Sequence, residues 1–237
     1  MITEQDRKFL DRVGPSALSS GATLNSSFEL AERAILENIS GNFVECGVFA
    51  GAQSAAMARA IMKHKSSKKV HLFDSFEGIP MAGPNDDQQP GLTAGNPLAD
   101  RAKAGKGTGE LKTSGVSACS VERVKSFMAN WGVDPSILVY HKGWFENVLP
   151  KLQISDIAIL RLDGDLYSSS KVCLKYLYPK VKGFVIIDDY PLVGSRKACD
   201  EYFKAHNIKP NLKYIQDNKD DIKNPAYFDI RENETHL

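Results

Sequence analysis

Residues 158–170, "AILRLDGDLYSSS", lead an apolar run into a helix-compatible stretch through two aspartates, Asp163 and Asp165, set around Gly164. A near-continuous apolar run such as "IAIL" marks a strand covered on both faces, because a half-exposed strand would alternate. Residues 184–190, "FVIIDDY", repeat the arrangement and end in Asp188 and Asp189. Strands buried on both faces belong to mostly parallel sheets, and consecutive parallel strands deliver their carboxyl ends to one rim. Four carboxylates are thereby expected at that rim.

The flanking sequence agrees. "NFVECGV" reads as a strand, residues 53–64 as a helix and "KKVHLFD" as a second strand. Further on, "SVERVKSFMANW" is a helix, "ILVYHKG" a strand, and residues 145–150 a short helical turn. After "DIAILRLDG" come a helix through "SSSKVCLKYLY", the strand "GFVIIDDY" and the helix "RKACDEYFKAHN". "LKYIQDN" and "PAYFDIRE" can pair as a terminal hairpin. Two helices precede the sheet, over residues 3–13 and 25–39, the second with Asn25 or Ser26 as N-cap and Phe28, Ala31, Ile35 and Ile39 at helical spacing. Alternating strands and helices imply right-handed crossovers and an α/β fold, here as one domain over residues 1–237 with residues 1–40 as its N-terminal helices.

Residues 76–115 interrupt this rhythm, being rich in Gly, Pro, Asn and Asp without apolar periodicity. Loops beyond about 15 residues in compact domains are usually functional or disordered. This one leaves the carboxyl end of a strand, where ligands bind in such sheets, and is expected to be an active-site lid.

Composition excludes several classes. The 237 residues are 42% hydrophobic and 25% charged, with a formal net charge of +1, which supplies no field for nucleic acid or membranes. The opening "MITEQDRKFLDR" is too charged for a signal peptide, and the chain is expected to be cytoplasmic. Cys46, Cys119, Cys173 and Cys199 lie scattered without C-x-x-C spacing or nearby His, so they read as buried free thiols.

"VECGVFAGAQS" (44–54) is a strand–turn–helix carrying Gly47 and Gly51. Its G-x-x-x-G spacing is not a dinucleotide fingerprint, and no G-K-[ST] follows, which argues against nucleoside triphosphate hydrolysis. Asp74 ends the next strand, in "VHLFDSFEG", where an acidic residue can accept hydrogen bonds from ribose hydroxyls. Turn and acid together point to an adenosine-type ligand. The four aspartates Asp163, Asp165, Asp188 and Asp189 would repel unless a cation neutralised them. Oxygen donors without His or Cys favour Mg2+, Ca2+ or Mn2+ over zinc. Asp is also a common N-cap, so a structural role for Asp165 ahead of the helix near Tyr167 is the competing reading.

Six stretches, "FVECGVFAG", "FDSFEGIP", "GWFENVLP", "LRLDGDLYSSS", "LYPKVKGFVIIDDY" and "RKACDEYF", make the chain resemble the macrocin O-methyltransferase family from about residue 25 to about residue 206. The resemblance implies a class I methyltransferase fold, Rossmann-like, with a mostly parallel seven-stranded sheet and helices on both faces. It implies S-adenosylmethionine as methyl donor, a bound Mg2+, and as partner a small-molecule acceptor, a sugar or phenolic natural product. By motif it implies Asp163, Asp188 and Asp189 as metal ligands and Asp165 as general base. It assigns Glu45, Gly47 and Gly51 to the methionine end of the cofactor and Asp74 and Ser75 to the ribose region. A homo-oligomer is also implied. The segment after "EGIP" and the tail "DNKDDIKNPAYFDIRENETHL" depart from the family pattern, which bears on the acceptor more than on the reaction.

Other residues carry plainer readings. His141 is a second candidate base but reads better as a hydrogen-bonded strand-end histidine. Lys142, Arg161, Arg196 and Lys197 would touch the cofactor carboxylate or the acceptor, or else solvate the rim. Two rival functions share the motifs: a metal-dependent glycosyltransferase or phosphotransferase using the D-x-D pattern of "LDGDL", and a non-catalytic adenosine-ligand binding protein. Neither transferase explains "VECGVFAG" with Asp74, and a binding protein needs no acidic rim.

Overall fold

The computed structural model describes residues 2–86, 110–215 and 224–232. Two helices come first, α1 (Glu4–Val13) and α2 (Gly21–Leu36). The alternating body follows as β1 (Asn42–Cys46), α3 (Ala52–His64), β2 (Val70–Asp74), α4 (Val121–Asn130), β3 (Leu138–Lys142) and α5 (Phe145–Val148). It continues as β4 (Ile157–Leu162), α6 (Tyr167–Leu177), β5 (Val181–Ile187) and α7 (Val193–Ala205), and ends in β6 (Lys213–Tyr214) and β7 (Ala226–Asp229). The seven strands form one sheet in the order β3-β2-β1-β4-β5-β7-β6. Strands β1 to β5 pair parallel, while β7 lies antiparallel between β5 and β6.

Every residue of β4 is buried, as two-sided coverage requires. Phe43, Ile159 and Ile186 pack with α1–α4, through Phe9, Phe28, Met57 and Met128 among others. Their chain neighbours Val44, Leu160 and Val185 pack with α6 and α7 through Leu174, Leu177 and Phe203. All four cysteines are free and buried. Among the described residues no helix is long and apolar enough to cross a membrane.

Helix α2 begins four residues before the expected Asn25. The Ser20 hydroxyl accepts from the Thr23 N–H at 3.2 Å and caps the helix there, and Thr23 and Leu24 extend its buried face. Ile39 lies past the helix end yet stays buried. The two limbs of the long Gly/Pro-rich segment pair with each other: Ser114 N–H donates to Ile79 C=O at 2.8 Å and Ile79 N–H to Val116 C=O at 3.0 Å. Residues 87–109, the middle of the expected lid, lie outside the described residues.

The strand order reverses at β1, whose neighbours β2 and β4 lead to opposite halves of the sheet. Ligands bind beyond the carboxyl ends of strands at such a switch point. Ladder hydrogen bonds continue past the strands and level those ends: Asp163 N–H reaches Cys46 C=O at 2.8 Å, and Asp188 N–H reaches Leu162 C=O at 2.9 Å.

Candidate active site

A cavity of about 550 Å3 opens at this switch point. Its lining includes Glu45 and Gly47 from the β1 end, Asp74 and Ser75 from β2, Asp163 and Asp165 from β4, and Asp188 and Asp189 from β5. Of the residues assigned to catalysis, cofactor or metal, the structure brings all but Gly51 into the lining, whereas the further candidates His141, Lys142, Arg161, Arg196 and Lys197 lie outside it. Gly51 adopts φ +89°, and a Cβ there would lie 2.6 Å from Met128 Cε, so it shapes the turn by letting α4 close on it. Gly47, at φ +92°, sits against the neighbouring strand end: an added Cβ would fall 1.6 Å from the Asp163 carbonyl oxygen.

Asp74 braces that turn. One of its oxygens accepts from Val48 N–H at 2.6 Å and Phe49 N–H at 3.2 Å, and the other from Phe76 N–H at 2.6 Å. Burial nevertheless raises its pKa, against those hydrogen bonds. The Ser75 hydroxyl donates to Gly78 C=O at 2.8 Å.

Glu45 is buried, receives the Ser54 hydroxyl on one oxygen and Arg161 Nε on the other at 3.2 Å, and is pushed by burial up to about 7, with Arg161 opposing. Arg161 is fully buried beneath the rim rather than solvating it or pointing into the cavity, which corrects the sequence reading. The signal available was one arginine inside an otherwise apolar strand, next to the acidic strand ends.

Asp163, Asp188 and Asp189 each offer a carboxylate oxygen such that the three atoms lie within 4.8 Å of one another. Asp188 Oδ1 is buried and makes no hydrogen bond among the described residues, its contact being an ion pair with Arg161 Nη2 at 2.7 Å. Hard oxygen donors at this spacing fit a divalent cation of the Mg2+ type. Burial first, then the charge of Asp188, pushes Asp163 up, and burial with Asp165 and Asp188 does the same to Asp189. A cation would relieve both.

Asp165 holds φ +61°, in the left-handed region, and its N–H donates to Asp189 Oδ2 at 2.7 Å. It does not cap α6. That helix begins without a side-chain cap of its own, and Asp86, buried and 81 positions earlier, accepts from the Tyr167 N–H at 2.8 Å. Burial, with Asp163, Asp188, Asp74 and Asp86 nearby, pushes the Asp165 carboxyl up to about 8. Asp86 lies in "AGPNDDQQ", where nothing in the sequence distinguishes it from its neighbours. His141 is the hydrogen-bonded histidine expected, its Nε2 lying 2.9 Å from Nδ1 of His71, and both pKa values are lowered by burial.

The model of the Macrocin-O-methyltransferase family matches residues 20–219. The chain belongs to this family. Among its relatives, the 8-demethyl-8-(2,3-dimethoxy-alpha-L-rhamnosyl)-tetracenomycin-C 4'-O-methyltransferase of Streptomyces olivaceus is 29% identical over 218 residues, covering 90% of this chain and 78% of that protein. The demethyldecarbamoylnovobiocin O-methyltransferase of Streptomyces niveus is 34% identical over 188 residues, covering 78% and 66%. The solved structure of the O-methyltransferase NovP superposes with a TM-score of 0.74 at 28% identity, covering 90% of this chain and 81% of that one. The calicheamicin methyltransferase CalS11, at 17% identity and a TM-score of 0.62, shares the fold. This macrocin-family chain is therefore an S-adenosylmethionine-dependent O-methyltransferase of class I fold. The glycosyltransferase, phosphotransferase and binding-protein readings fall with that membership.

Proposed function

We propose that this macrocin-family enzyme methylates a hydroxyl of a sugar or phenol in a small natural product, with Mg2+ held by Asp163, Asp188 and Asp189 and with Asp165 as general base. The observation that carries the reading is the convergence of those three carboxylates within 4.8 Å in the lining of the cavity. The acceptors in the names of the relatives, a rhamnosyl tetracenomycin C and demethyldecarbamoylnovobiocin, support the acceptor class.

S-adenosylmethionine supplies an activated methyl group, and a divalent cation would supply Lewis acidity that lowers the pKa of an acceptor hydroxyl. The chain's residues do the rest. The glycine turn, braced by Asp74, lets the backbone approach the donor, while Glu45 presents a carboxylate to its methionine end. Asp165, half-buried and tied through its N–H to Asp189, takes the proton released from the acceptor oxygen. Apolar cavity residues Ile79, Pro80, Val116, Trp144 and Leu192 exclude water from the acceptor side. Holding donor and acceptor in line supplies much of the remaining acceleration.

Calorimetric titration with S-adenosylhomocysteine and with Mg2+, followed by methyl transfer assays on glycosylated and phenolic acceptors with and without EDTA, tests the reading. Binding of both ligands and transfer abolished by EDTA support it. Full transfer in EDTA would remove the metal, and transfer to neither acceptor class would remove the substrate assignment.

A further inference from the structure

The guanidinium of Arg161 reaches three carboxylates and a hydroxyl from beneath the rim. Its Nε lies 3.2 Å from Glu45 Oε1, and its Nη2 lies 2.9 Å from Asp163 Oδ2 and 2.7 Å from Asp188 Oδ1. Nη1 donates to Ser27 Oγ on α2 at 3.5 Å. The residue has no exposed surface. A buried ion this large is retained only where its partners satisfy it, and its planar fork fixes their directions as a point charge cannot.

Each of the three rim aspartates therefore has one oxygen in contact with a fixed partner, through a hydrogen bond for Asp163 and Asp189 and through an ion pair for Asp188. Asp163 and Asp188 are held by Arg161, and Asp189 by the Asp165 N–H at 2.7 Å. We infer that Arg161 is the positioning residue of the metal centre. It anchors one oxygen of Asp163 and one of Asp188 so that their remaining oxygens face a common cation, and Glu45 and Ser27 hold the guanidinium plane from the far side. Without that anchor, mutual repulsion would swing the two carboxylates apart. Glu45, on the cofactor side of the cavity, thereby becomes linked to metal affinity although it lies outside the acidic cluster. If Glu45 were neutral, the guanidinium charge would pair more fully with Asp163 and Asp188 and compete with the ion.

The inference rests on the metal reading above, and the test separates the two. Free Mn2+ is measured by electron paramagnetic resonance during titration of the cofactor-free protein, with circular dichroism establishing that each variant is folded. Arg161→Lys keeps the charge and loses the fork; its Mn2+ dissociation constant should rise at least about tenfold. Glu45→Gln, nearly isosteric, should raise it at least about threefold, and stands alone should Arg161→Lys not fold. Ser27→Ala, which removes the longest of the contacts, should stay within about twofold. Unchanged or tighter Mn2+ binding in folded Arg161→Lys, or in Glu45→Gln, overturns the positioning role while leaving the metal site standing. Failure of the wild-type protein to bind Mn2+ overturns the metal reading itself.

Discussion

Replacing Gly47 by alanine tests how tightly the end of β1 is packed against the end of β4. The added Cβ would meet the Asp163 carbonyl oxygen at 1.6 Å, where real Cβ contacts essentially never fall below 3.0 Å, so something must move by about 1.4 Å. The neighbour is backbone, not a flexible side chain. The φ of +92° adds about 1 kcal/mol for a non-glycine residue. Overpacking against a fixed strand end adds about 2 kcal/mol. At about 2–4 °C per kcal/mol for a chain of this size, the melting temperature should fall by about 6–12 °C. Gly132 is the control: its φ is +75° but an added Cβ meets nothing within 4 Å, so Gly132→Ala should lower the melting temperature by only about 2–4 °C. Differential scanning calorimetry of both variants decides the matter. Because the shift falls on the residue bearing Asp163, turnover of Gly47→Ala should also fall about a hundredfold. Equal melting temperatures for the two variants would refute the contact, since only the backbone term would then be at work.

Asp165→Asn should keep S-adenosylhomocysteine and Mn2+ dissociation constants within about threefold while kcat falls by a factor of about 100 or more; near-normal kcat would dismiss Asp165 as base. With Asp165 pushed up to about 8, kcat/KM at low cation concentration should climb with pH toward that value, because the base acts only when ionised. Saturating cation should move the midpoint lower, since added positive charge favours the carboxylate; a pH profile indifferent to cation would contradict this. In the N-terminal helices, burial would raise the pKa of Asp6, but hydrogen bonds from Lys63, Thr3 and Arg59 hold it well below 3.8. A depressed carboxylate stabilises the fold above its unfolded pKa and loses that contribution as pH falls through the folded value. Asp6→Ala should therefore cost about 3 kcal/mol at neutral pH and much less in acid, as read from urea unfolding. Removal of the Asp86 carboxylate by Asp86→Ala should cost about 1 kcal/mol as a lost cap of α6 and lower kcat, because the freed Tyr167 N–H lies two residues from Asp165.

Local pattern carried the architecture a long way. Unbroken apolar runs at β4 and β5 can be buried only between two layers, so their composition implies a covered parallel sheet. Strand-end aspartates and the glycine turn were legible because chemistry at a rim uses residues that a strand interior excludes, and the tail segments paired antiparallel as their composition suggested. The start of α2 differs from the expected one because capping is a local competition, and Ser20, five residues before Asn25, satisfies the orphan Thr23 N–H.

What the chain by itself determined, then, is the alternation of elements, the acidic rim and the family pattern running through it. Only the tertiary structure decided who stands beside whom. It sank Arg161 under the rim among Glu45, Asp163 and Asp188, engaged Asp74 with the backbone of the turn, and made Asp86 the cap of a helix 81 residues away. The reason is physical: periodicity reports which face of an element is apolar, whereas the partner of a buried charge is chosen by whichever distant segments the sheet order brings within about 3 Å.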